Sequence, residues 1–382
     1  MDVLVIGAGI GGPGAALGLA RAGHHVRIFE QEDPFGAAGS GVVLSPNGVR
    51  ALDYLDSTIG QRVRAEAVRV AEPFPYLTPA GDVKVYVPSS DIEAKWGAPL
   101  VPIRRRLLHR LLVDALPRSS LVTRRRLVSL DEHAGNVVAR FSDGSAERGD
   151  LLIGADGVWS VVRHVNADAR PRYLGITSVR GIGPAPDQPY PAGFCSQGPG
   201  LQVFAARLRD GLVYWAATIN APENEWPRLS VEAARSRLAG LVRDWHAPVP
   251  QLVAEAPADE LVVTDIHDMA PLRRWSTARV TLVGDSAHPM APFLGQGANA
   301  ALEDAATLCR ALRETQDLGR ALREYERARM HRTSRLAKMS RQIGALGQAE
   351  NRLGMAVRDI GLRIFMRFGG GSGDSWLYGY EP

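Results

Sequence analysis

A glycine-rich turn near the start of the chain constrains the fold more than any other segment. The largely apolar run Asp2–Ile6 is typical of a buried parallel strand, and helical spacing follows over Gly12–Ala22. A second strand is predicted over His25–Glu30. In such a βαβ unit the three glycines of GxGxxG have separate tasks: a tight turn, close approach of the backbone to a pyrophosphate, and close helix–strand packing. Here these glycines are Gly7, Gly9 and Gly12.

The second strand ends at Glu30, whose carboxylate can accept hydrogen bonds from both hydroxyls of a ribose. The helix start offers free N–H groups and partial positive charge to phosphates. GxGxxG alone is a weak signal, because a glycine-rich strand–helix turn needs no ligand. Together with the strand, the helix and Glu30, it predicts a dinucleotide whose adenosine lacks a 2′-phosphate. NAD and FAD both satisfy this pattern.

A second element, late in the chain, favours FAD. A buried strand is predicted over Val280–Val283, and Asp285 stands at its tip. A glycine loop, Pro292–Asn299, then leads into the predicted helix Ala300–Leu312. Such a loop can present backbone N–H groups to a flat heterocycle, and the helix dipole would stabilise the negative charge of a reduced flavin. An ordinary strand–loop–helix connection explains Asp285 but not the two glycines that flank Gln296.

Three ordered motifs, together with a near-terminal segment, resemble one known family, the single-component (class A) FAD-dependent monooxygenases of the para-hydroxybenzoate hydroxylase fold. The resemblance lies near the salicylate and urate hydroxylases and zeaxanthin epoxidase. Its motifs are Gly284-Asp285, the Leu151–Arg163 segment with Asp156-Gly157, the helix headed by Arg105, and Trp376-Leu377-Tyr378-Gly379-Tyr380. Interpretations that involve no cofactor are a turn for Asp156-Gly157 and a solvated helix face for Arg104–Arg106.

The resemblance implies an NAD(P)H- and O2-dependent enzyme that hydroxylates or epoxidises an aromatic or polycyclic small molecule through a flavin C4a-hydroperoxide. NAD(P)H would bind only transiently, because the chain has one dinucleotide fingerprint. No metal site is expected. The residues predicted to bind FAD are Gly7, Gly9, Gly11, Gly12, Glu30, Gln31, Gly41, Val43, Arg105, Val128, Asp156, Asp285, Gly295, Gln296, Gly297 and Ala298.

The catalytic chemistry is expected to be that of the flavin, so the protein's candidates are residues of the substrate pocket. Period-two geometry puts Gln202 and Phe204 on one face of a strand, with Tyr214 on the next. Urate hydroxylases carry Arg where Gln202 falls, which points to a largely neutral substrate here. Core packing is an equal alternative for Tyr214. The pocket candidates are Gln202, Phe204, Tyr214, Pro292 and Phe293.

The predicted fold class is α/β, an FAD-binding Rossmann-like domain of the glutathione-reductase type with an inserted antiparallel sheet and C-terminal helices. Alternating strands with many prolines and aromatics over 170–275 indicate the inserted lobe. Other predicted elements are helices Asn47–Leu55 and Arg104–Leu116, strands near Val68–Val70 and Val83–Val87, and a hairpin of Leu127–Leu130 with Val137–Phe141. The expected parts are FAD-binding 1–70, 101–170 and 276–330, substrate-binding 71–100 and 171–275, and C-terminal helices 331–382.

Composition excludes several other classes. Apolar residues make up 45% and charged residues 23%, which is ordinary for a globular chain. The net charge is +4, but 45 Lys and Arg stand among 41 acids along the chain, so a solvated surface is favoured over nucleic-acid binding. No apolar run is long enough to span a membrane, and the start lacks signal-peptide character, so a cytoplasmic protein is expected.

Three other functions stay open or are disfavoured. An FAD-dependent reductase or dehydrogenase of the same fold, and a non-catalytic flavin- or ligand-binding protein, are both compatible with the motifs. A flavin-dependent halogenase would need a Trp-x-Trp-x-Ile-Pro motif, which is absent, and a reactive lysine among only three. The two cysteines, Cys195 and Cys309, form no disulfide framework.

Overall fold

The computed structural model describes residues 1–32, 40–68, 73–87, 92–165, 169–369 and 375–382. The strands are β1 Asp2–Ile6, β2 His25–Phe29, β3 Gly41–Leu44, β4 Phe74–Leu77, β5 Val83–Val87, β6 Val101–Arg104, β7 Leu121–Val122, β8 Leu127–Glu132, β9 Val137–Phe141, β10 Ala146–Gly149, β11 Leu151–Gly154, β12 Arg172–Pro184, β13 Gly193–Gln197, β14 Leu201–Arg207, β15 Leu212–Asn220, β16 Val262–Asp268 and β17 Val280–Leu282. The helices are α1 Gly11–Arg21, α2 Pro46–Leu55, α3 Ser57–Ala65, α4 Ile92–Trp96, α5 Arg105–Asp114, α6 Val231–Val242, α7 Val249–Glu255, α8 Gly297–Glu314, α9 Leu318–Gly347, α10 Arg352–Gly369 and α11 Ser375–Tyr378.

A five-stranded parallel sheet with the order β17-β11-β1-β2-β7 forms the first lobe. Its central strand β1 is apolar and buried, as expected of a parallel strand covered on both faces. The chain moves from β1 to β2 on one side, whereas β11 and β17 join on the other. The strand order therefore reverses at β1, which is where open α/β sheets bind ligands. The predicted α/β class with a Rossmann-like core is confirmed.

A seven-stranded sheet with the order β16-β12-β15-β14-β13-β4-β5 forms the second lobe. The strands of the 170–275 segment pair antiparallel with one another, as predicted. The exception in the sheet is β13 with β4, which run parallel. The exception arises because β4 and β5 enter the sheet from residues 74–87, far from the other strands in sequence. The 170–275 segment also contains helices α6 and α7, which the strand-rich pattern did not predict.

The two faces of this sheet differ as period-two geometry requires. One face carries Trp215 and Val203 into an apolar core with α6 and α7. The other, which we call the inner face, carries Tyr214, Phe204 and Gln202. Tyr214 contacts Gly41 of β3, and Gln202 contacts Gly347 of α9, so the inner face is directed at the first lobe. The cleft between the lobes is therefore lined by both.

Helix boundaries differ slightly from the sequence predictions. The predicted helix Asn47–Leu55 begins one residue earlier, because Pro46 suits the first turn of a helix. Arg104 is extended and belongs to β6, so the helix predicted over Arg104–Leu116 spans only Arg105–Asp114. The predicted hairpin forms as β8 and β9. Val68 lies in no strand, and the rest of the strand predicted near Val68–Val70 lies outside the described residues. Among the described residues, no helix has the length and apolarity needed to cross a bilayer.

Candidate cofactor and substrate site

The opening glycines divide into two packed positions and one open position. Gly7 has a φ of +102°, and a Cβ there would overlap the carbonyl of Ala155. A Cβ on Gly12 would overlap the carbonyl oxygen of Gly7, so this glycine allows α1 to pack against the end of β1. A Cβ on Gly9 would meet nothing within 4 Å. The space above Gly9 therefore fits the approach of a pyrophosphate.

Glu30 is held beside this turn. Its Oε2 accepts a hydrogen bond of 2.7 Å from the backbone N–H of Ala8, and its Oε1 accepts one of 3.1 Å from Glu32. The carboxylate is thus fixed next to the pyrophosphate position, where a ribose of the same ligand would lie. Gln31 is exposed beside it. Val128 is 53% exposed at an irregularity in the β8–β9 pairing.

Asp285 lies in a short 3-10 turn, Gly284–Ser286, that follows β17. Its Oδ1 is 4.0 Å from the position of a Cβ on Gly297, the first residue of α8. The side chain reaches water but has protein on most sides, as expected at the bottom of a cleft. This partial burial raises the pKa of Asp285, and the charges of His288 and Arg105 partly lower it. The carboxylate is therefore placed to accept hydrogen bonds from a ligand.

The loop before α8 is anchored from below. Gly295 has a φ of +63°, and the buried side chain of Gln296 accepts a hydrogen bond of 2.9 Å from Asn47 and donates one to Ser45. Asn299 donates to the carbonyls of Val43 and Gly295. Gln296 therefore faces α2, so the loop would meet a ligand with its backbone at Gly297 and Ala298. No acidic residue and no side-chain cap occupies the first turn of α8, which leaves its N–H groups for an anionic or electron-rich ligand.

Asp156 serves a turn in this structure. Its Oδ2 accepts hydrogen bonds from the backbone of Val161 at 2.7 Å and of Val162 at 3.1 Å, where a 3-10 turn begins. Its Oδ1 is buried without a partner among the described residues. The turn interpretation therefore accounts for Oδ2 of Asp156, and a ligand would have to bind through Oδ1.

Arg105 and Arg106 have different environments, although they are neighbours at the start of α5. The Arg106 guanidinium forms an ion pair of 2.8 Å with Glu260. Arg105 is exposed, and its charge acts on both Asp285 and Tyr214. The charge of Arg105 thus reaches both Asp285 and the inner face, whereas Arg106 is engaged with Glu260.

Aromatic side chains line the inner face. Phe204 and Tyr214 meet edge to face at 6.1 Å between centroids, and Phe74 stacks on Phe204 at 6.0 Å. Tyr214 rests on Gly41, where any Cβ would overlap its ring. Burial raises the pKa of Tyr214, so its hydroxyl stays protonated at neutral pH. These rings form a flat apolar wall opposite the first lobe.

A pair of glutamines stands at the other end of this wall. Gln197 donates a hydrogen bond of 2.9 Å to Oε1 of Gln202, and both residues are more than nine-tenths buried. Nε2 of Gln202 and Oε1 of Gln197 have no partner among the described residues. Gln197 was missed from the sequence, although its position opposite Gln202 follows once β13 and β14 are paired.

Phe293, which follows Pro292 in the loop before α8, packs against Ile176 and Ile266 at the far end of the sheet. The Phe293 ring occupies the place that a side chain at Gly344 of α9 would take, and Pro292 is exposed. A groove of about 510 Å³ lies beyond Phe293, lined by Ile176, Asn220 and Gln348 among others. This groove belongs to the far end of the sheet and does not coincide with the crevice at Gly9 and Asp285. No cluster of metal-ligating side chains occurs in the described ranges.

A buried charge network supports the site from behind. Asp304 of α8 accepts a hydrogen bond of 2.8 Å from the N–H of Gly284 and pairs with His288 and Arg329. Glu303 pairs with Arg329 and with Arg332, and it accepts a hydrogen bond of 2.7 Å from Asn47. The predicted C-terminal motif covers this network, since the Tyr380 ring lies 4.9 Å from the Arg329 guanidinium. These acids were missed because charged residues on a helix normally indicate a solvent-facing side.

Comparison with known proteins agrees with this geometry. The family described as FAD binding domain matches residues 1–340. Aurachin C monooxygenase/isomerase of Stigmatella aurantiaca is 34% identical over 95% of this chain and 94% of its own length. 3-Hydroxybenzoate 6-hydroxylase 1 of Aquipseudomonas alcaligenes is 34% identical over 100% of this chain and 98% of its own.

Among solved structures, Klebsiella pneumoniae HpxO complexed with FAD and uric acid superposes with a TM-score of 0.89 at 28% identity, covering 99% of this chain and 97% of that one. The open position at Gly9, the fixed Glu30 and the free start of α8 fit the cofactor that this neighbour binds. The earlier resemblance and the FAD cofactor are therefore confirmed. The chain belongs to the FAD-binding-domain family and is an FAD-dependent monooxygenase.

Proposed function

We propose that the protein uses NAD(P)H and O2 to hydroxylate or epoxidise a small, largely neutral aromatic or polycyclic molecule that lies against the inner face. The unpartnered amide atoms of Gln197 and Gln202 carry this proposal. A buried amide donor and acceptor without partners cost free energy, and a ligand with complementary neutral groups would recover it. The relatives named above are a monooxygenase/isomerase and a hydroxybenzoate hydroxylase, which supports an aromatic substrate.

When bound, FAD supplies the acceptance of a hydride equivalent from NAD(P)H and the activation of O2. The chain's own residues then have three tasks. Gly9 and Glu30 hold the pyrophosphate and the adenosine ribose of FAD, and Asp285 with the start of α8 holds its flavin end. We place the other predicted cofactor-binding residues, from Gly41 and Val43 to Val128, around the same crevice.

The inner face orients the substrate and excludes water. Phe204 and Tyr214 offer rings on which an aromatic molecule can stack, and a dry cleft protects the reaction from competing hydrolysis or decay. The protonated Tyr214 hydroxyl can donate a hydrogen bond to a substrate oxygen. We assign Pro292 and Phe293 to the opposite wall, where they would limit the thickness of the substrate.

A second substrate class is favoured by one observation. Arg180 lies on the inner face two strand positions from Ile182, which pairs with Tyr214, and the charges of Arg180 and Arg105 both act on Tyr214. Two cations at this end would suit an aromatic substrate whose hydroxyl ionises on binding. The glutamine pair favours neutral groups at the other end of the cleft.

The test is anaerobic mixing of the FAD-loaded enzyme with NADH or NADPH and candidate aromatics, followed by a pulse of labelled O2. We expect a substrate to accelerate flavin reduction and to gain one labelled oxygen atom. Reduction of a substrate without oxygen gain would support the reductase alternative. A flavin that NAD(P)H fails to reduce with every candidate would support the non-catalytic binding protein.

Substitutions of Gln202 and of Arg180 distinguish the two substrate classes. Gln202→Leu should raise KM for neutral substrates by about tenfold, because one buried hydrogen bond is lost, and should leave FAD content unchanged. Arg180→Gln should instead raise KM for substrates with an ionisable hydroxyl. An unchanged KM in Gln202→Leu for every accepted substrate would contradict the neutral-group assignment.

A further inference from the structure

Helix α10 presents its apolar side to solvent. Four apolar residues at helical spacing lie more than half exposed on one side of the helix: Leu353, Val357, Ile360 and Ile364. Ile343 and Leu346 of the adjoining α9 are exposed as well, and Leu346 lies beside Gly361 of α10. We call these six residues the α9–α10 patch. Single exposed apolar residues are ordinary, but a contiguous group marks an interaction surface.

The opposite side of α10 carries charge, which is the reverse of an ordinary surface helix. Arg358 is buried and donates to the carbonyl of Gly198 at 3.1 Å. Asp359 forms ion pairs with Arg358 at 2.9 Å and with Lys84 at 3.1 Å. These polar contacts hold α10 on the protein, so its apolar side is directed outward by specific bonds.

The excess positive charge of the chain lies in the segment that carries this patch. Residues 327–368 contain ten Lys or Arg and two acids, whereas the other 340 residues contain 35 Lys or Arg and 39 acids. Several of these cations are paired internally. Two exposed ones, Arg352 and Arg363, adjoin the patch residues Leu353 and Ile364 in sequence and have no ion pair with any described residue.

An apolar stripe flanked by exposed cations matches the chemistry of an anionic lipid surface. Helices of this kind lie in the plane of the interface, with apolar side chains among the acyl chains and cations at the headgroups. A second copy of the chain fits less well, because a two-fold contact through the patch would bring Arg352 and Arg363 of each copy toward those of the other.

We propose that the α9–α10 patch docks the protein on the surface of an anionic membrane. This inference goes beyond the monooxygenase activity and does not depend on the identity of its substrate. The groove beyond Phe293 borders the patch, since its lining includes Ala345, which precedes Leu346, and Glu350, which lies three residues before Leu353. A docked protein would therefore hold this groove close to the lipid.

The experiment is co-flotation of the full-length, FAD-loaded protein with vesicles of phosphatidylcholine, alone or mixed with phosphatidylglycerol. We expect binding to the anionic vesicles that weakens as salt is added. The double substitution Val357→Gln with Ile360→Gln should weaken binding at least about tenfold, because the buried apolar area is lost. Arg352→Gln with Arg363→Gln should weaken binding to the anionic vesicles by about fivefold for each arginine.

The matched control is Leu241→Gln, which changes an equally exposed apolar residue of α6 and should leave flotation unchanged. Thermal unfolding and FAD content show whether each variant is folded. Absence of binding to anionic vesicles at low salt would overturn the proposal, as would equal binding by the Val357/Ile360 double variant. A dimer in solution that the same double variant dissociates would assign the patch to a second copy instead.

Discussion

Nε2 of His288 lies 2.5 Å from Oδ2 of Asp304, and the same carboxylate oxygen accepts the N–H of Gly284 at 2.8 Å. Both side chains are buried. A carboxylate in the core thereby fixes the backbone turn that carries Asp285, one of the predicted cofactor-binding residues. The Asp304 side chain therefore links the buried charge network to the turn that carries Asp285.

Asp304→Asn is predicted to destabilise the fold by about 3–5 kcal/mol, because it leaves His288 and Arg329 with an incomplete set of partners in the core. FAD content should fall as well, since the Gly284 turn loses its anchor. Chemical denaturation and the flavin absorbance of the purified protein measure the two effects. The exposed Asp317→Asn, which alters only the cap of α9, serves as the control. Unchanged stability in Asp304→Asn would show that the network carries no net free energy.

The same residue predicts a pH dependence of stability. Burial alone would raise the pKa of Asp304, but the charges of His288 and Arg329 outweigh burial and lower it to about 2. Because the pKa in the folded state lies below the ordinary value, the contribution of Asp304 is complete above about pH 4 and is lost as the pH falls toward 2. Denaturation of the wild type and Asp304→Asn between pH 6 and pH 2 should therefore show a stability difference that narrows below about pH 4. A difference that stays constant to pH 2 would reject this assignment.

Gly9→Ala should separate folding from cofactor binding. A methyl group at Gly9 meets no protein atom within 4 Å, so the apoprotein should unfold at the wild-type temperature. FAD affinity should fall by at least about tenfold, because the methyl group occupies the space into which the pyrophosphate must come. Isothermal titration of apoprotein with FAD gives the affinity. Gly12→Ala is the contrasting variant and should destabilise the fold itself, and wild-type FAD affinity in Gly9→Ala would place the pyrophosphate elsewhere.

Glu30→Ala should weaken FAD binding by about 10- to 100-fold, since hydrogen bonds to a charged group contribute about 1.5–3 kcal/mol. Its neighbour Glu32 is exposed and offers only a backbone contact, so Glu32→Ala should retain FAD. FAD content after extensive dialysis compares the two variants. Equal retention in both would remove Glu30 from the ribose site.

Arg105→Ala and Arg106→Ala form a matched pair at the start of α5. Arg106 is engaged with Glu260 on the surface, so its loss should cost at most about 1 kcal/mol of stability and leave the flavin unaffected. The charge of Arg105 lowers the pKa of Asp285, so the loss of Arg105 should raise that pKa further and should lower FAD affinity. The affinity of Arg105→Ala for FAD, measured against pH, tests this, and identical affinities for the two variants would return Arg105 to the solvated face.

Local patterns were sufficient for much of the first lobe. The β1–α1–β2 unit and the late strand β17 were predictable because apolar runs and glycine spacing reflect nearby hydrogen bonding. Helices α6 and α7 were missed, since prolines and aromatics in the surrounding 170–275 segment resemble strand and turn signals. The parallel pairing of β13 with β4 depends on residues more than a hundred positions apart, which no local pattern specifies.

Candidate site residues could be predicted where a single local motif determines what surrounds them. Gly9 and Glu30 are of this kind, because spacing along one βαβ unit determines what they meet. Gln197 and Asp304 are of the other kind. Gln197 becomes a candidate only after β13 pairs with β14, and Asp304 acquires its meaning from His288 and Arg329 on other elements. For the residues that the sequence did predict, from Gly7 to Ala298, binding itself is a prediction for the experiments above.

Within the second lobe, residues 172–268 leave and re-enter the first lobe at one point. Arg172 at the start of β12 is paired with Asp268 at the end of β16, and their side chains form an ion pair of 2.8 Å. The insertion between β11 and β17 is thus closed at its base, so its length and loops can vary without stretching the parallel sheet. Exchange of residues 172–268 between relatives, with β4 and β5 carried along, should produce chimeras in which a common redox lobe acquires a new aromatic preference.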